Sequence, residues 1–123
     1  MKKYRYTKDP LEYYNNGLQK YEYKDFKGAI SDFTLALEYK KDFYEAYFMR
    51  GLIYGKEIHK YKKAIKDFTK AIKIKPDYGE AYFNIGVTYR VLDDVPKACV
   101  NWKKAEELGF EGATDLIRKY CMS

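Results

Sequence analysis

The chain has 123 residues, 46% hydrophobic and 19% aromatic, which is enough apolar material for one domain with its own core. No run approaches the roughly 18–20 consecutive apolar residues of a membrane-spanning helix, and the start MKKYRYTKDP carries charge with no apolar segment behind it, so neither an anchor nor a signal peptide is expected. Lys and Arg outnumber Asp and Glu 24 to 18; eight lysines against three acids between Lys56 and Asp77 hold five of the six surplus charges, so any electrostatic function is local.

Residues 1–9 read as a basic aromatic arm, ending where Asp9 and Pro10 supply a helix cap and first turn. From there a pattern with a period of 34 to 35 residues appears three times, over residues 10–43, 44–78 and 79–110. The stretch YEAYFMRGLIY beginning at Tyr44 returns as GEAYFNIGVTY beginning at Gly79. Four columns hold register through all copies: Gly17, Gly51 and Gly86; Ala29, Ala64 and Ala98; Phe33, Phe68 and Trp102; Ala36, Ala71 and Ala105. Each copy predicts two helices, A then B. In the second B helix Ala64, Ile65, Phe68, Ala71 and Ile72 share one face, with Lys62, Lys63, Lys66, Lys70 and Lys73 on the other.

A glycine inside a helix costs roughly 0.5–1 kcal/mol against alanine, so the Gly17, Gly51 and Gly86 column predicts a close approach of helix B, with the alanine columns serving the same contact. The second copy carries one extra residue between Gly51 and Ala64, which predicts a longer turn in GKEIHK. Pro76 ends the second B helix, and Pro96 lies near the start of the third. In residues 111–123, Ala113, Leu116, Ile117 and Tyr120 face one way and Asp115, Arg118 and Lys119 the other, as in a capping helix.

These columns resemble those of the tetratricopeptide-repeat family, over about residues 10–110. The residues that carry the likeness are Tyr13, Gly17, Phe26, Ala29, Phe33 and Ala36; Tyr47, Gly51, Tyr54, Tyr61, Ala64, Phe68, Ala71 and Pro76; and Tyr82, Gly86, Tyr89, Ala98, Trp102 and Ala105. Asn16 and Lys20 depart from it, as fits a terminal repeat. The resemblance implies an all-α, right-handed superhelical solenoid of three helix-turn-helix repeats with a C-terminal capping helix. It also implies that stacked A helices line a groove for a peptide or a partner's helix. Carried onto this chain, that groove consists of Tyr14, Leu18, Phe48, Met49, Leu52, Phe83, Asn84 and Val87, with Lys56 and Arg90 at its edge. It is aromatic and apolar, and calls for a protein or peptide partner with hydrophobic anchors. The family's clamp for a chaperone's C-terminal carboxylate needs lysine, asparagine and arginine where this chain has Tyr14, Leu18, Met49, Glu80 and Asn84, so no such clamp is expected.

Catalysis has little raw material. His59 is the sole histidine and sits in a polar turn; Cys99 reads as a buried, inert thiol beside Ala98, and Cys121 as an exposed one. The glycines are dispersed at repeat positions rather than gathered in a phosphate-binding loop, and Trp102 falls in the core aromatic column. No catalytic residue, metal or cofactor is expected. Two cysteines without the count or spacing of a disulfide framework point to a reducing, cytoplasmic compartment. The leading expectation is a non-enzymatic protein-interaction module or scaffold. Two alternatives stand beside it: nucleic-acid binding through the lysine-rich second repeat, and homo-oligomerisation in which the groove buries a second copy.

Overall fold

A computed structural model describes residues 8–122. Most of the basic aromatic arm therefore lies outside the described residues. Among the described residues seven α-helices follow one another: α1 (Pro10–Glu22), α2 (Phe26–Tyr39), α3 (Tyr44–Leu52), α4 (Tyr61–Ile74), α5 (Gly79–Val91), α6 (Val95–Glu107) and α7 (Thr114–Tyr120). A π-helical turn (Ile53–Glu57) extends α3 and a 3-10 turn (Glu111–Ala113) precedes α7. The described residues are all helix and turn, arranged as three helix pairs and a terminal helix.

Local chemistry accounts for the boundaries. Asp9 caps α1 by accepting the Leu11 N–H at 3.0 Å, with Pro10 as the first helical residue. Asp25 and Asp94 cap α2 and α6 in the same manner through Gly28 and Lys97. The turns from A to B helices each contain one left-handed residue, Lys24, His59 or Asp93. His59 is exposed there, where a turn residue belongs. Aspartate and histidine tolerate this backbone region better than most residues, and lysine has no such advantage.

The columns seen in the sequence meet in three dimensions. All six alanines are fully buried, as are Phe33 and Trp102, with Phe68 at 2% exposure. A Cβ placed on Gly17, Gly51 or Gly86 would lie 2.7, 2.9 or 2.5 Å from the ring of Phe33, Phe68 or Trp102 respectively. The glycine column thus exists to let helix A ride over the aromatic column of its own B helix. The carbonyls of Ala64 and Ala98 come next, at 3.3 and 3.0 Å from the same positions on Gly51 and Gly86.

The extra residue of the second repeat is absorbed differently from the expectation. In the first and third repeats the A-to-B turn closes by Asp25 N–H to Lys20 O at 2.9 Å and Asp94 N–H to Tyr89 O at 2.8 Å. In the second repeat the equivalent bond, Lys60 N–H to Tyr54 O at 2.6 Å, spans one residue more. The added residue goes into a wide turn of helix, closed by Ile58 N–H to Ile53 O at 3.1 Å, rather than into a loop alone. Such π-turns are rare and concentrate at functional sites.

Candidate functional site

The row Tyr14, Phe48 and Phe83 does not form an open ladder. Each ring is met by the aromatic residue that precedes the next element: Tyr14 by Phe43 at 4.8 Å between centroids, Phe48 by Tyr78 at 4.9 Å and Phe83 by Phe110 at 4.8 Å. Phe43 and Tyr78 occupy the N-cap positions of α3 and α5, yet neither helix has a side-chain cap hydrogen bond there. The cap position has been given over to packing. Burial raises the phenol pKa of Tyr14 and, more strongly, that of Tyr78, as befits rings set into a junction.

Phe48 corrects the expectation most clearly. It is 5% exposed and also contacts Phe68, 5.6 Å away, so its ring belongs to the core rather than to a binding surface. Tyr14 and Phe83 are half-buried. Leu18 and Met49 are half-buried too and pack against the first core cluster.

One turn beyond Phe48 the surface opens. Leu52, Phe83, Asn84 and Val87 come together around a cleft of about 400 Å³ between α3, the π-turn and α5, with Lys56 on its edge. Six further residues line that cleft, Gly55, His59, Tyr61, Phe68, Thr88 and Val91, and none of them was expected in the groove. Gly55, His59 and Tyr61 lie in or just after the one-residue insertion, so the departure from the repeat length was the signal that could have found them. Val91 stands at the end of α5, half exposed. Arg90, next to Val91, does not line the cleft and turns to the terminal helix instead: its guanidinium donates to the Tyr120 hydroxyl at 2.6 Å and lies 4.5 Å from that ring's centroid.

A second cleft, about 460 Å³, lies between α2 and α4 and is lined by Thr34, Tyr47, Arg50, Tyr54, Lys63, Lys66, Asp67 and Lys70. Its floor is a bidentate pair, Arg50 Nε and Nη2 each 2.8 Å from a carboxylate oxygen of the buried Asp67, while Arg50 Nη1 donates to Thr34 at 3.0 Å. This network ties the first helix pair to the second. Sequence reading missed it, because Arg50 and Asp67 are seventeen residues apart and on different helices. In the first repeat Lys20 fills a related need, 2.9 Å from Asp32, which explains a lysine in a column otherwise held by tyrosine. Lys62, Lys63, Lys66, Lys70 and Lys73 are all exposed, and among the described residues none of them forms an ion pair.

The cysteines also overturn their expectation. Cys99 and Cys121 are joined as a disulfide with Cα atoms 5.7 Å apart. Neither is a free thiol. Folding α7 back along α6 makes neighbours of residues 22 apart in sequence, and spacing alone could not reveal that. The bridge removes the cysteine argument for a reducing compartment. No helix among the described residues is long and apolar enough to cross a membrane.

The profile of the family described as "TPR repeat" matches residues 59–91. Among solved structures the chain is similar to a crystal structure of MamA, with 28% identity and a TM-score of 0.80 over 87% of this chain and 62% of that one. It resembles the first TPR of Spaghetti (RPAP3), solved with the HSP90 peptide SRMEEVD, at 19% identity and a TM-score of 0.86 over 94% and 93% of the two chains. It is likewise similar to the Arabidopsis OM64 TPR domain, at 22% identity and a TM-score of 0.81 over 89% and 94%. The chain spans 58–62% of the MamA chains it matches. No curated protein matches it by sequence. With the repeat profile lying on α4 and α5, and the fold shared with two TPR domains along most of its length, the chain carries a TPR repeat over residues 59–91 within a tetratricopeptide-repeat solenoid fold.

Proposed function

We propose that this protein is a non-enzymatic interaction module that takes a short peptide or a partner's helix into the cleft between α3, the π-turn and α5. Leu52, Phe83 and Val87 receive apolar anchors, Asn84 orients the bound segment by hydrogen bonding, and Lys56 favours an acidic residue beside the anchors. The observation that carries this reading is the convergence of those five residues on one cleft, beside the one segment where the chain breaks its own repeat. Peptide binding by the Spaghetti (RPAP3) domain lends the class of function, since the fold is common to both. The ligand type is expected to differ. Where the family's carboxylate clamp would sit, this chain has Tyr14, Leu18, Met49, Glu80 and Asn84, so no free C-terminal carboxylate is required.

Panning a peptide library displayed with both ends blocked tests this. Enriched peptides should share two or more spaced apolar residues, and Leu52→Asp with Val87→Asp should abolish their binding while leaving the helical signal intact. Enrichment only in a library with free C-termini, or binding that survives the double substitution, would overturn the proposal. Light scattering on the same proteins reports the homodimer, which would appear in the wild type alone.

A second reading, nucleic-acid binding, is supported by Lys63, Lys66 and Lys70 around the cleft between α2 and α4. Against it, Arg50 is already committed to Asp67 and Thr34. Binding of mixed RNA that persists in about 150 mM salt and is lost when Lys62, Lys66, Lys70 and Lys73 become glutamate would favour this reading; weak binding that fades with salt would not.

A further inference from the structure

The terminal helix α7 has seven residues, and its N-cap, Ala113, offers no side-chain hydrogen bond. A helix so short does not persist in water on its own propensity. Docking holds it: Ile117 is buried, Leu116 packs on the cluster of Ala98, Trp102 and Ala105, and the Tyr120 ring lies 5.9 Å from that of Trp102. Arg90 adds the hydrogen bond and the cation over the Tyr120 ring described above. The Cys99–Cys121 bridge is the next link after Tyr120, so covalent bond, ring contact and guanidinium contact all restrain the same end of α7. Both cysteines are partly exposed.

We propose that Cys99 and Cys121 form a redox latch on the terminal helix. As a disulfide the pair pins α7 over Trp102 and keeps Arg90 against Tyr120. As two thiols it releases the last turns, uncovers one side of Trp102 and frees the Arg90 guanidinium at the end of α5. A small dithiol reductant opens it: one thiolate attacks a bridge sulfur and expels the other cysteine as thiolate, and the reductant's second thiolate then displaces the first. Two electrons and two protons pass to the cysteines, and the reductant leaves as a cyclic disulfide. The consequence for the binding cleft, a cation gained near its far end, rests on the interaction-module reading; the latch itself does not.

A cross-link closing a loop of this size restricts the open chain by on the order of a hundredfold, which is large beside the few contacts of a two-turn helix. The columns built on Phe33 and Phe68 lie in other clusters, so opening stays local.

Trp102 is the sole tryptophan and reports on its own neighbourhood. The full chain, oxidised or treated with dithiothreitol, is alkylated and weighed to establish the thiol count, then followed by tryptophan emission and amide exchange. Reduction should red-shift the emission, increase quenching by acrylamide and speed exchange across residues 114–121 by about a hundredfold, with α4 unchanged. Cys99→Ser with Cys121→Ser should behave as the reduced protein under both conditions; the reductant experiment on the unaltered chain stands even where that variant fails to fold. Two alkylatable thiols after treatment with a disulfide-forming oxidant, or identical emission and exchange in the oxidised and fully reduced protein, would overturn the latch. These readouts use no ligand, so their failure is separate from failure of the proposed binding cleft.

Discussion

Phe48 and Leu52 lie one turn apart on α3, and their fates differ. Phe48 is closed over by Phe68 from its own repeat and by Tyr78 at the entry to the next, whereas Leu52 borders an open cleft. Both positions descend from the same repeat pattern and both are apolar. What separates them is the side chain that arrives from outside the helix. Tyr78 caps α5 with a ring instead of a hydrogen bond, and that ring lands on Phe48. Beside Leu52 the chain instead inserts a residue and widens into a π-turn. The surface of this chain is therefore divided between core and open cleft by the residues joining repeats as much as by the helix positions themselves.

The contrast is tested most forcefully at Phe48. Phe48→Ala should cost about 3–5 kcal/mol in urea unfolding, against less than about 1 kcal/mol for Leu52→Ala. Equal losses would mean that both positions are core or both surface. Removing the carboxylate beneath the second cleft comes next: Asp67→Ala leaves Arg50 partly buried without its partner and should cost about 3 kcal/mol. A loss below about 1 kcal/mol would reclassify that pair as a surface bridge.

Ala64→Leu falls in the middle. Ala64 is fully buried, and its Cβ lies 3.1 Å from where a Cβ on Gly55 would stand, so a larger side chain pushes on α3 and the π-turn together. Destabilisation of about 1–3 kcal/mol is expected, accompanied by weaker peptide binding. Stability loss with unchanged binding would separate the π-turn from the cleft.

The smallest effect sharpens the comparison between junctions. Lys40–Asp42 and Lys75–Asp77, each at 3.0 Å, flank the entries of Phe43 and Tyr78, and each lysine's hydrogen bond, reinforced by its charge, lowers the pKa of its aspartate below the ordinary 3.8. A depressed carboxylate pKa contributes stability above its unfolded value and loses it as pH falls through the lower folded value. A slight drop in melting temperature is thus expected only below about pH 4, and Asp42→Asn with Asp77→Asn should flatten it. An unchanged acid profile in the double variant would remove these pairs from the account.

Periodicity at three and four residues, the columns of glycine, alanine and aromatic residues, and a few aspartates and prolines at helix starts were enough to read from the sequence three helix pairs, a terminal helix and their close packing. Those features are local or repeat in register, so each copy confirms the others. The sequence also contained the cleft's residues Leu52, Phe83, Asn84 and Val87, but placed them in one row with Phe48. Exposure could not be separated there, because burial depends on which side chain arrives from the junction with the next repeat, about thirty residues along the chain. The Arg50–Asp67–Thr34 network, the conversion of an extra residue into a π-turn and the Cys99–Cys121 bridge were decided by tertiary structure for the same reason. Each depends on the distance between groups on different helices, and a repeat pattern sets which residues face inward without setting which of them meet.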